Sequence, residues 1–358
     1  EQLLKEPEAT VPLRTASLLT LAQLNLVKER WDKGISLILQ WMNEVETVTA
    51  QSYYLLASAY FQKTDYVRAR TNMEEAIRLA EEEGYRPKEN WYVLLAACFS
   101  ELKDKKIISA QYALEQQVGI YEILVNYYPK KLYFLQLGGT YQQMDREEDY
   151  MLTLKAAYEK DLLDKEGEYL ALAQMLLLKK NPYWAAQVLV AGQQKKVTIT
   201  DEDTGEEEVV AVVKDKEKTL KLLADAWRMA QEIDKAIPVL EKAAKMSKDG
   251  DTYVLLGNLY LFEDRMEDSI RAIEAGLKKA KVKSRSQALL VLGQAHFELQ
   301  NFEEAKKQFR AAARDENKRI KKTANSWIKY AENEEVRVKN LALRRDFIQQ
   351  SKAKSKNS

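Results

Sequence analysis

The chain contains a single histidine and a single cysteine, the side chains best suited to proton transfer, nucleophilic attack or zinc binding at neutral pH. His296 follows Leu289 and Leu292 at helical spacing, which favours a histidine packed in a core over a catalytic one. Cys98 lies inside the apolar run Trp91–Phe99 and is interpreted as a small buried hydrophobe. One histidine and one cysteine do not supply the ligands of a zinc site. We therefore predict no catalytic or metal-binding role for either residue.

Two further segments have the composition of ligand-binding loops but not the spacing. The acidic run 201–203 could begin a calcium loop, which needs glycine at its sixth position and glutamate at its twelfth. Glu206 and Val212 occupy those positions, so a solvated turn is the better interpretation. Gly138 and Gly139 lack the lysine of a phosphate-binding loop. The sequence thus predicts no metal, no cofactor and no enzymatic activity.

Composition excludes several classes of protein. The 358 residues are 46% hydrophobic and 31% charged, and 12 glycines and 6 prolines argue against a loop-rich or all-β fold. A net charge of +1 lacks the basic excess of a nucleic-acid-binding protein. The run Trp91–Phe99 is the longest apolar one and is too short to span a bilayer. The chain begins at Glu1 rather than Met, so we expect a mature product whose signal peptide has been removed. The oligomeric state stays open.

One pattern recurs eight times and predicts the elements that position all these residues. A small residue follows a leucine, has an aromatic or apolar residue four positions earlier, and usually has another three positions later. On a helix these residues share one face, and the small residue permits close approach of a second helix. Recurrence roughly every 34 residues indicates an array of helical hairpins. The eight small residues are Ala22, Ala57, Ala96, Gly138, Ala173, Ala224, Gly257 and Gly293.

Irregular spacing and the chain ends predict the remaining organisation. The long gap between Ala173 and Ala224 leaves extra residues at about 195–214, where alternating β-branched residues flank a turn and predict an inserted β-hairpin. Residues 1–12 are predicted to be a flexible arm, and residues 13–333 the repeat array. The array is predicted to end in a capping helix around Thr323–Tyr330. Residues 334–358 are predicted to be a basic, partly disordered tail.

The repeat resembles the tetratricopeptide repeat. The run Tyr253-Val-Leu-Leu-Gly-Asn-Leu-Tyr260 is a nearly complete version of that repeat's first helix. The resemblance covers all eight units with varying fidelity. It implies an all-α, superhelical solenoid of about eight helical hairpins with a C-terminal capping helix, interrupted here by the small β-hairpin insertion.

A longer ordered series resembles a narrower group, the bacterial tetratricopeptide proteins associated with TonB energy-transduction systems. The series runs through Ile123–Pro129, Leu135–Tyr141, Leu154–Tyr158, Glu168–Gln174 and Asn181–Leu189. This resemblance implies a periplasmic, signal-cleaved accessory protein with protein partners that include TonB or its motor proteins. It carries over no catalytic or ligand-binding residue. The insertion and the basic tail depart from that group.

In the tetratricopeptide repeat the first helices line an inner groove. Its lining positions lie three before, one after, and four and five after the small residue. We therefore expect a groove that binds an apolar or amphipathic segment of a partner protein. In the alternative, these side chains only pack between neighbouring first helices. The predicted partner-binding residues are Tyr54, Phe61, Leu135, Leu170, Leu177, Val254, Asn258, Leu261, Leu290 and Phe297.

The sequence does not support one specialised role, the binding of a chaperone's C-terminal carboxylate. Repeats that clamp a chaperone's terminal carboxylate carry lysine three before and asparagine one after the same small residue. Lys221 is combined with Asp225, and Asn258 with Val254, so the two requirements are never met together.

The sequence thus predicts a non-catalytic periplasmic scaffold or adaptor, an accessory component of a TonB-dependent transport system. The alternative is a cytoplasmic or secretion-linked tetratricopeptide adaptor or chaperone. An enzyme with a site in the groove ranks third.

Overall fold

The computed structural model describes residues 10–200, 205–279 and 281–356. The predicted arm therefore lies mostly outside the described residues, as does the tip of the predicted hairpin, residues 201–204. The described residues form two compact units, one ending at Leu163 and the other beginning at Asp164, which we call the N-terminal and C-terminal units.

Seventeen helices and two strands are found in the described residues, which confirms the predicted all-α repeat with a small β-hairpin. The helices of the N-terminal unit are α1 Val11–Val27, α2 Trp31–Glu44, α3 Ala50–Gln62, α4 Tyr66–Glu82, α5 Glu89–Asp104, α6 Ala110–Tyr127, α7 Lys131–Gln143 and α8 Glu147–Glu159. Those of the C-terminal unit are α9 Glu166–Leu178, α10 Pro182–Gln194, β1 Lys196–Thr200, β2 Glu207–Ala211, α11 Glu217–Met229, α12 Ile233–Met246, α13 Asp251–Phe262, α14 Met266–Leu277, α15 Arg285–Glu298, α16 Phe302–Ala312 and α17 Lys318–Lys356.

The small residues mark the contact between the two helices of each hairpin. All eight lie on the first helix of a pair and are buried. A Cβ atom placed on Gly257 would lie 2.4 Å from the Ile273 side chain, and one on Gly293 would lie 2.5 Å from the Phe309 ring. Those distances leave no space for a side chain, so the interhelical approach at these glycines requires glycine.

Each hairpin turns through a residue in the left-handed region. Its φ lies between 55° and 63°, and in seven of the eight hairpins it stands seven positions after the small residue. The following amide then donates back to the end of the first helix, as Asp65 N does to Tyr60 O at 3.0 Å. These residues are Glu29, Thr64, Lys106, Asp145, Lys180, Gln231, Asp264 and Gln300, Lys106 being the one at a longer spacing.

The inserted hairpin is anchored at its base. β1 and β2 pair antiparallel, with Val197 opposite Val210. After β2, Val213 N donates to Gly192 O at 2.9 Å, and the Val213 side chain is buried beside that glycine on α10. The predicted insertion at 195–214 is therefore an outgrowth of α10 and not a separate core.

Helix α17 closes the C-terminal unit and then continues beyond it. Ala324 and Ala331 are buried among α15 and α16 residues, but every described side chain from Lys339 to Lys352 is exposed. The helix crosses the predicted boundary at 333–334 and extends through most of the predicted tail. Intrahelical pairs support it there: Arg337 with Glu334, and Lys339 with Glu335 at 2.7 Å.

Two neighbouring glycines of α7 test the close-approach constraint. A Cβ on Gly138 would lie 3.0 Å from the Tyr150 ring, whereas a Cβ on Gly139 meets nothing within 4 Å. We expect Gly138→Leu to lower the free energy of unfolding by about 1–3 kcal/mol through overpacking. Gly139→Leu should be neutral or stabilising by up to about 1 kcal/mol, because leucine has the higher helix propensity. Urea unfolding followed by circular dichroism measures both, and equal effects would contradict the packing argument.

Candidate partner-binding surface

The ten predicted groove residues lie on first helices, but they differ in how much of each side chain reaches solvent. Leu135 is exposed, and Leu290 and Phe297 are buried. The other seven are half-buried: Tyr54, Phe61, Leu170, Leu177, Val254, Asn258 and Leu261.

In the N-terminal unit two of the three predicted groove residues are used for packing, and the third, Leu135, is exposed. The Tyr54 ring stacks on Trp91 of the next first helix, with centroids 5.4 Å apart, and its hydroxyl accepts a hydrogen bond from Asn90 at 2.8 Å. Phe61 packs edge-on against Tyr66 at 5.2 Å. Both rings join helices of the unit, so little of either remains available to a partner.

In the C-terminal unit several predicted residues are also committed to internal contacts. Val254 and Leu261 pack against the core cluster that contains Ile273. The Asn258 amide donates to Val254 O at 2.8 Å, within its own helix. These three side chains therefore line the surface, but their internal contacts leave them few groups with which to bind a partner.

The last hairpin presents no groove at its predicted positions. Phe297 lies 5.6 Å from the Trp327 ring and 5.1 Å from the Tyr330 ring, and Leu290 belongs to the same cluster. Both predicted groove residues are therefore buried beneath α17. The cause is the capping helix, which occupies the place where a further first helix would pack.

A different position carries the exposed apolar surface. Leu178, Met229 and Phe262 each stand five residues after the small residue of α9, α11 and α13, and they are 80%, 49% and 72% exposed. We call these three residues the apolar strip. They occupy the same place on three successive first helices, so one partner segment running across the unit could contact all three.

Three successive first helices with an apolar residue at this position are found only at α9, α11 and α13. Val27 of α1 is also apolar and is 82% exposed, but the corresponding residues of α3, α5, α7 and α15 are polar, namely Gln62, Glu101, Gln143 and Glu298. The sequence analysis included the position five after the small residue among those that line the groove. It did not single out Leu178, Met229 and Phe262, because an apolar residue on a first helix is more often part of the core than exposed.

The two candidate chemical residues are both packed in the protein. Burial lowers the pKa of His296, so its ring is neutral near pH 7, and its Nδ1 atom has no hydrogen-bond partner among the described residues. Burial raises the pKa of the Cys98 thiol to about 12, which leaves almost no thiolate for nucleophilic attack. Neither residue has the surroundings of a catalytic group.

The two residues compared with a chaperone clamp, Lys221 and Asn258, lie on different helices and have internal partners. The Lys221 ammonium pairs with Glu217 at 2.6 Å on α11, and the Asn258 amide donates to Val254 O on α13. Within the described ranges, no group of three His, Cys, Asp or Glu side chains is arranged to hold a metal ion. No helix among those residues combines the length and apolar character needed to cross a bilayer.

Comparison with known proteins agrees with the repeat. Residues 50–83 and 286–314 match the sequence model of the tetratricopeptide repeat; the first range contains α3 and α4, and the second contains α16 and all of α15 except its first residue. The chain therefore contains tetratricopeptide repeats at these two places. No curated protein sequence matches it.

Three solved structures illustrate the level of structural similarity. MamA has 19% identity and a TM-score of 0.39, covering 52% of this chain and 97% of its own. A tetratricopeptide repeat protein from Parabacteroides merdae ATCC 43184 has 14% identity and a TM-score of 0.30, with coverages of 79% and 98%. YrrB, a tetratricopeptide repeat protein described as having an unusual peptide-binding site, has 12% identity and a TM-score of 0.43, with coverages of 57% and 96%. These values are too low to indicate a function of this chain.

Two phenylalanines test which positions are core and which are surface. Phe297 is 8% exposed beneath α17, whereas Phe262 is 72% exposed. We expect Phe297→Ala to reduce the free energy of unfolding by about 3–5 kcal/mol. Phe262→Ala should change it by less than about 0.5 kcal/mol, since it leaves no cavity. A large loss from Phe262→Ala in chemical denaturation would show that the strip belongs to the core.

The anchoring of α17 should depend on pH. Hydrogen bonds from Lys306 and then Lys339 lower the pKa of Glu335 from 4.5 to about 2, and the Lys306 side chain is almost fully buried. Because the folded pKa lies below the unfolded value, this stabilisation is present above about pH 4.5 and is lost as the pH falls toward 2. The Glu335→Gln variant should therefore be less stable than the original chain near pH 7, and the difference should shrink near pH 3.

Glu332→Gln provides the control, because Glu332 is half-exposed and 3.8 Å from Arg310. It should have a smaller effect at both pH values. A Glu335→Gln difference of the same size at both pH values would contradict the assignment.

Proposed function

We propose that this protein is a non-catalytic scaffold whose apolar strip binds an apolar or amphipathic segment of a partner protein. The observation that carries the proposal is the exposure of Leu178, Met229 and Phe262 at one repeat position on three successive first helices. Three large apolar side chains in water are costly, and a partner that covers them removes that cost.

The size of the strip sets the expected strength of binding. Full burial of one such side chain contributes about 1.5–3 kcal/mol to the free energy of binding. Three such side chains therefore offset part of the entropic cost of association. Interfaces concentrate their energy in a few residues of this kind. An amphipathic helix fits best, because its apolar residues at positions i, i+3 or i+4, and i+7 form one continuous face.

The finer proposal concerns where this binding happens. We propose a periplasmic accessory component of a TonB-dependent transport system, with TonB or its motor proteins as partners. Its support is the ordered series from Ile123 to Leu189 that resembles TonB-associated repeat proteins. Holding segments of two components on one scaffold would raise their effective concentration without any chemical step. The competing proposal, a cytoplasmic or secretion-linked adaptor, is distinguished by the location of the tagged precursor in fractionated cells.

Two methionines provide a matched test of the strip. Met229 on α11 and Met246 on α12 are both 49% exposed, but only Met229 belongs to the strip. A photo-crosslinking residue at position 229 should trap periplasmic segments of TonB or its motor proteins in intact cells, and one at position 246 should not. Met229→Ser combined with Phe262→Ser should weaken co-purification by about tenfold or more, with Met246→Ser unchanged.

The outcomes separate the two levels of the proposal. Crosslinks from position 229 to other proteins would retain the scaffold and reject the TonB assignment. Equal crosslinking from both positions, or none from position 229, would reject the strip as the binding surface.

A further inference from the structure

Apart from the apolar strip, the first helix of the array exposes an unusual face. Terminal repeats of a solenoid need a polar outer face to remain soluble. The last helix, α17, follows this rule, because Lys322 and Lys329 are exposed on the side opposite the buried Ala324. On α1 the side opposite the buried Ala22 carries no charged residue. The first helix is therefore an exception that folding does not explain.

The exposed side of α1 is largely apolar. Its residues follow one another at spacings of three or four, so they lie on one face of the helix. Leu13, Leu24 and Val27 are 46%, 51% and 82% exposed, and the small side chains between them are exposed as well. We call this set the α1 outer face, and it consists of Leu13, Ala16, Thr20, Leu24 and Val27.

The hydroxyl groups on this side of α1 already have partners. Thr20 Oγ1 donates to Ala16 O at 2.9 Å, and Ser17 Oγ donates to Leu13 O at 2.8 Å. Because each hydroxyl proton is satisfied within its own helix, covering these groups leaves no donor unpaired. The α1 outer face can therefore be buried against another apolar surface at little cost.

The charges around the α1 outer face favour contact with a second copy. Arg14 is the only charged residue of α1, and its guanidinium pairs with Glu44 of α2 at 2.9 Å. A face without charge meets its own copy without repulsion. Lys28 and Arg30 follow the end of the helix. An antiparallel arrangement keeps these two basic residues of one copy far from those of the other.

The spacing of the α1 outer face is symmetric about Thr20. Leu13 and Val27 lie seven residues before and after it, and Ala16 and Leu24 lie four residues before and after it. A two-fold axis at Thr20 therefore places Leu24 of each copy opposite Ala16 of the other. We propose that two copies of this protein associate through antiparallel contact of their α1 outer faces, with Thr20 at the two-fold axis.

The shape of the surface agrees with this pairing. A shallow depression of about 310 Å³ is lined by Ala16, Ser17, Thr20, Leu21 and Leu24. In the antiparallel pair the leucine at position 24 enters the space that the alanine at position 16 leaves in the other copy. The same exchange occurs twice, as an interface with two-fold symmetry requires.

A bilayer surface fits α1 less well. A helix that lies on a membrane turns a polar, usually basic, face to water. The side of α1 opposite its outer face instead packs against α2, with Leu18 and Ala22 buried. The single arginine of α1 is already paired with a glutamate of α2. The helix therefore lacks the basic face by which a membrane would attract it.

Charges at position 20 test the contact in the full chain. Analytical ultracentrifugation should show dimers with a dissociation constant of about 10–100 µM, since contact along one helix of about 25 Å is small for a specific interface. Thr20→Glu and Thr20→Lys should each weaken association by about tenfold or more, because the axis brings like charges together. An equimolar mixture of the two variants should recover it, because opposite charges then meet.

Thr71→Glu on α4 is the matched control. Thr71 is also exposed and also donates to the carbonyl four residues earlier, Val67 O, at 3.1 Å. It lies outside the α1 outer face, so its replacement should leave dimerisation unchanged. Circular dichroism should show that both Thr20 variants fold, since Thr20 is exposed on the side of α1 away from α2.

Crosslinking tests the direction of the two helices. In the antiparallel pair the two copies of residue 13 lie about 20 Å apart along the axis, whereas residue 13 of one copy lies opposite residue 27 of the other. A short bismaleimide should therefore join Leu13→Cys chains to Val27→Cys chains in a mixture, and should join neither variant to itself. The native Cys98 is buried and should not react.

The remaining outcomes would overturn the proposal. They are a chain that stays monomeric at roughly 500 µM, dimers that Thr20→Glu leaves intact, and crosslinking of Leu13→Cys to itself. Capture of a monomeric chain by phosphatidylcholine vesicles, lost in Thr20→Glu, would overturn it in favour of a membrane surface. Phe262→Ser should leave dimerisation unchanged, so failure of this contact and failure of the apolar strip are distinguishable.

Discussion

The close approach of two helices at one small residue is the constraint on which every hairpin depends. At Gly257 the partner helix comes near enough for the buried Ser269 hydroxyl to donate to the Gly257 carbonyl at 2.7 Å. At Ala96 the buried Gln117 amide makes a similar bond to the carbonyl of the small residue, at 3.2 Å. A larger side chain at either position would separate the helices, leave these polar groups unpaired, and remove the interdigitated packing that holds the pair together.

That packing also determines how the chain turns. The turn residues with positive φ are not glycines, and Thr64 is β-branched, so each carries a strain of about 1–2 kcal/mol. The strain persists because the hydrogen bonds at the end of the first helix and the packed helix pair overdetermine the turn. With only 12 glycines in the chain, these turns have no glycine signal in the sequence. They follow from the spacing of the small residues, since Glu29 to Gln300 stand at nearly constant distances from them.

The repeat, its pairing and the inserted hairpin could be predicted from sequence because each is encoded by local spacing. The candidate site could be predicted only in part, because exposure depends on which element comes next. Phe297 and Leu261 stand at the same repeat position, but Phe297 is covered by α17 while Leu261 remains half-buried. The extent of α17 was equally hidden, since a basic, polar composition is compatible with both a disordered tail and a helix stabilised by pairs such as Lys339 with Glu335.

Different positions of the repeat therefore have different roles, some in packing helices together and one at the exposed surface. Positions three before and four after the small residue pack neighbouring helices in several repeats, as Tyr54 on Trp91 does, so folding constrains their identity there, although Leu135 of α7 is exposed. The position five after the small residue contributes little to the core where its side chain is exposed, so we expect substitution there to cost little stability. Folding therefore permits Gln143 on α7 and Phe262 on α13 equally well. Stability does not require an apolar residue at this position, and the exposure of Leu178, Met229 and Phe262 there is the observation from which we propose a binding surface.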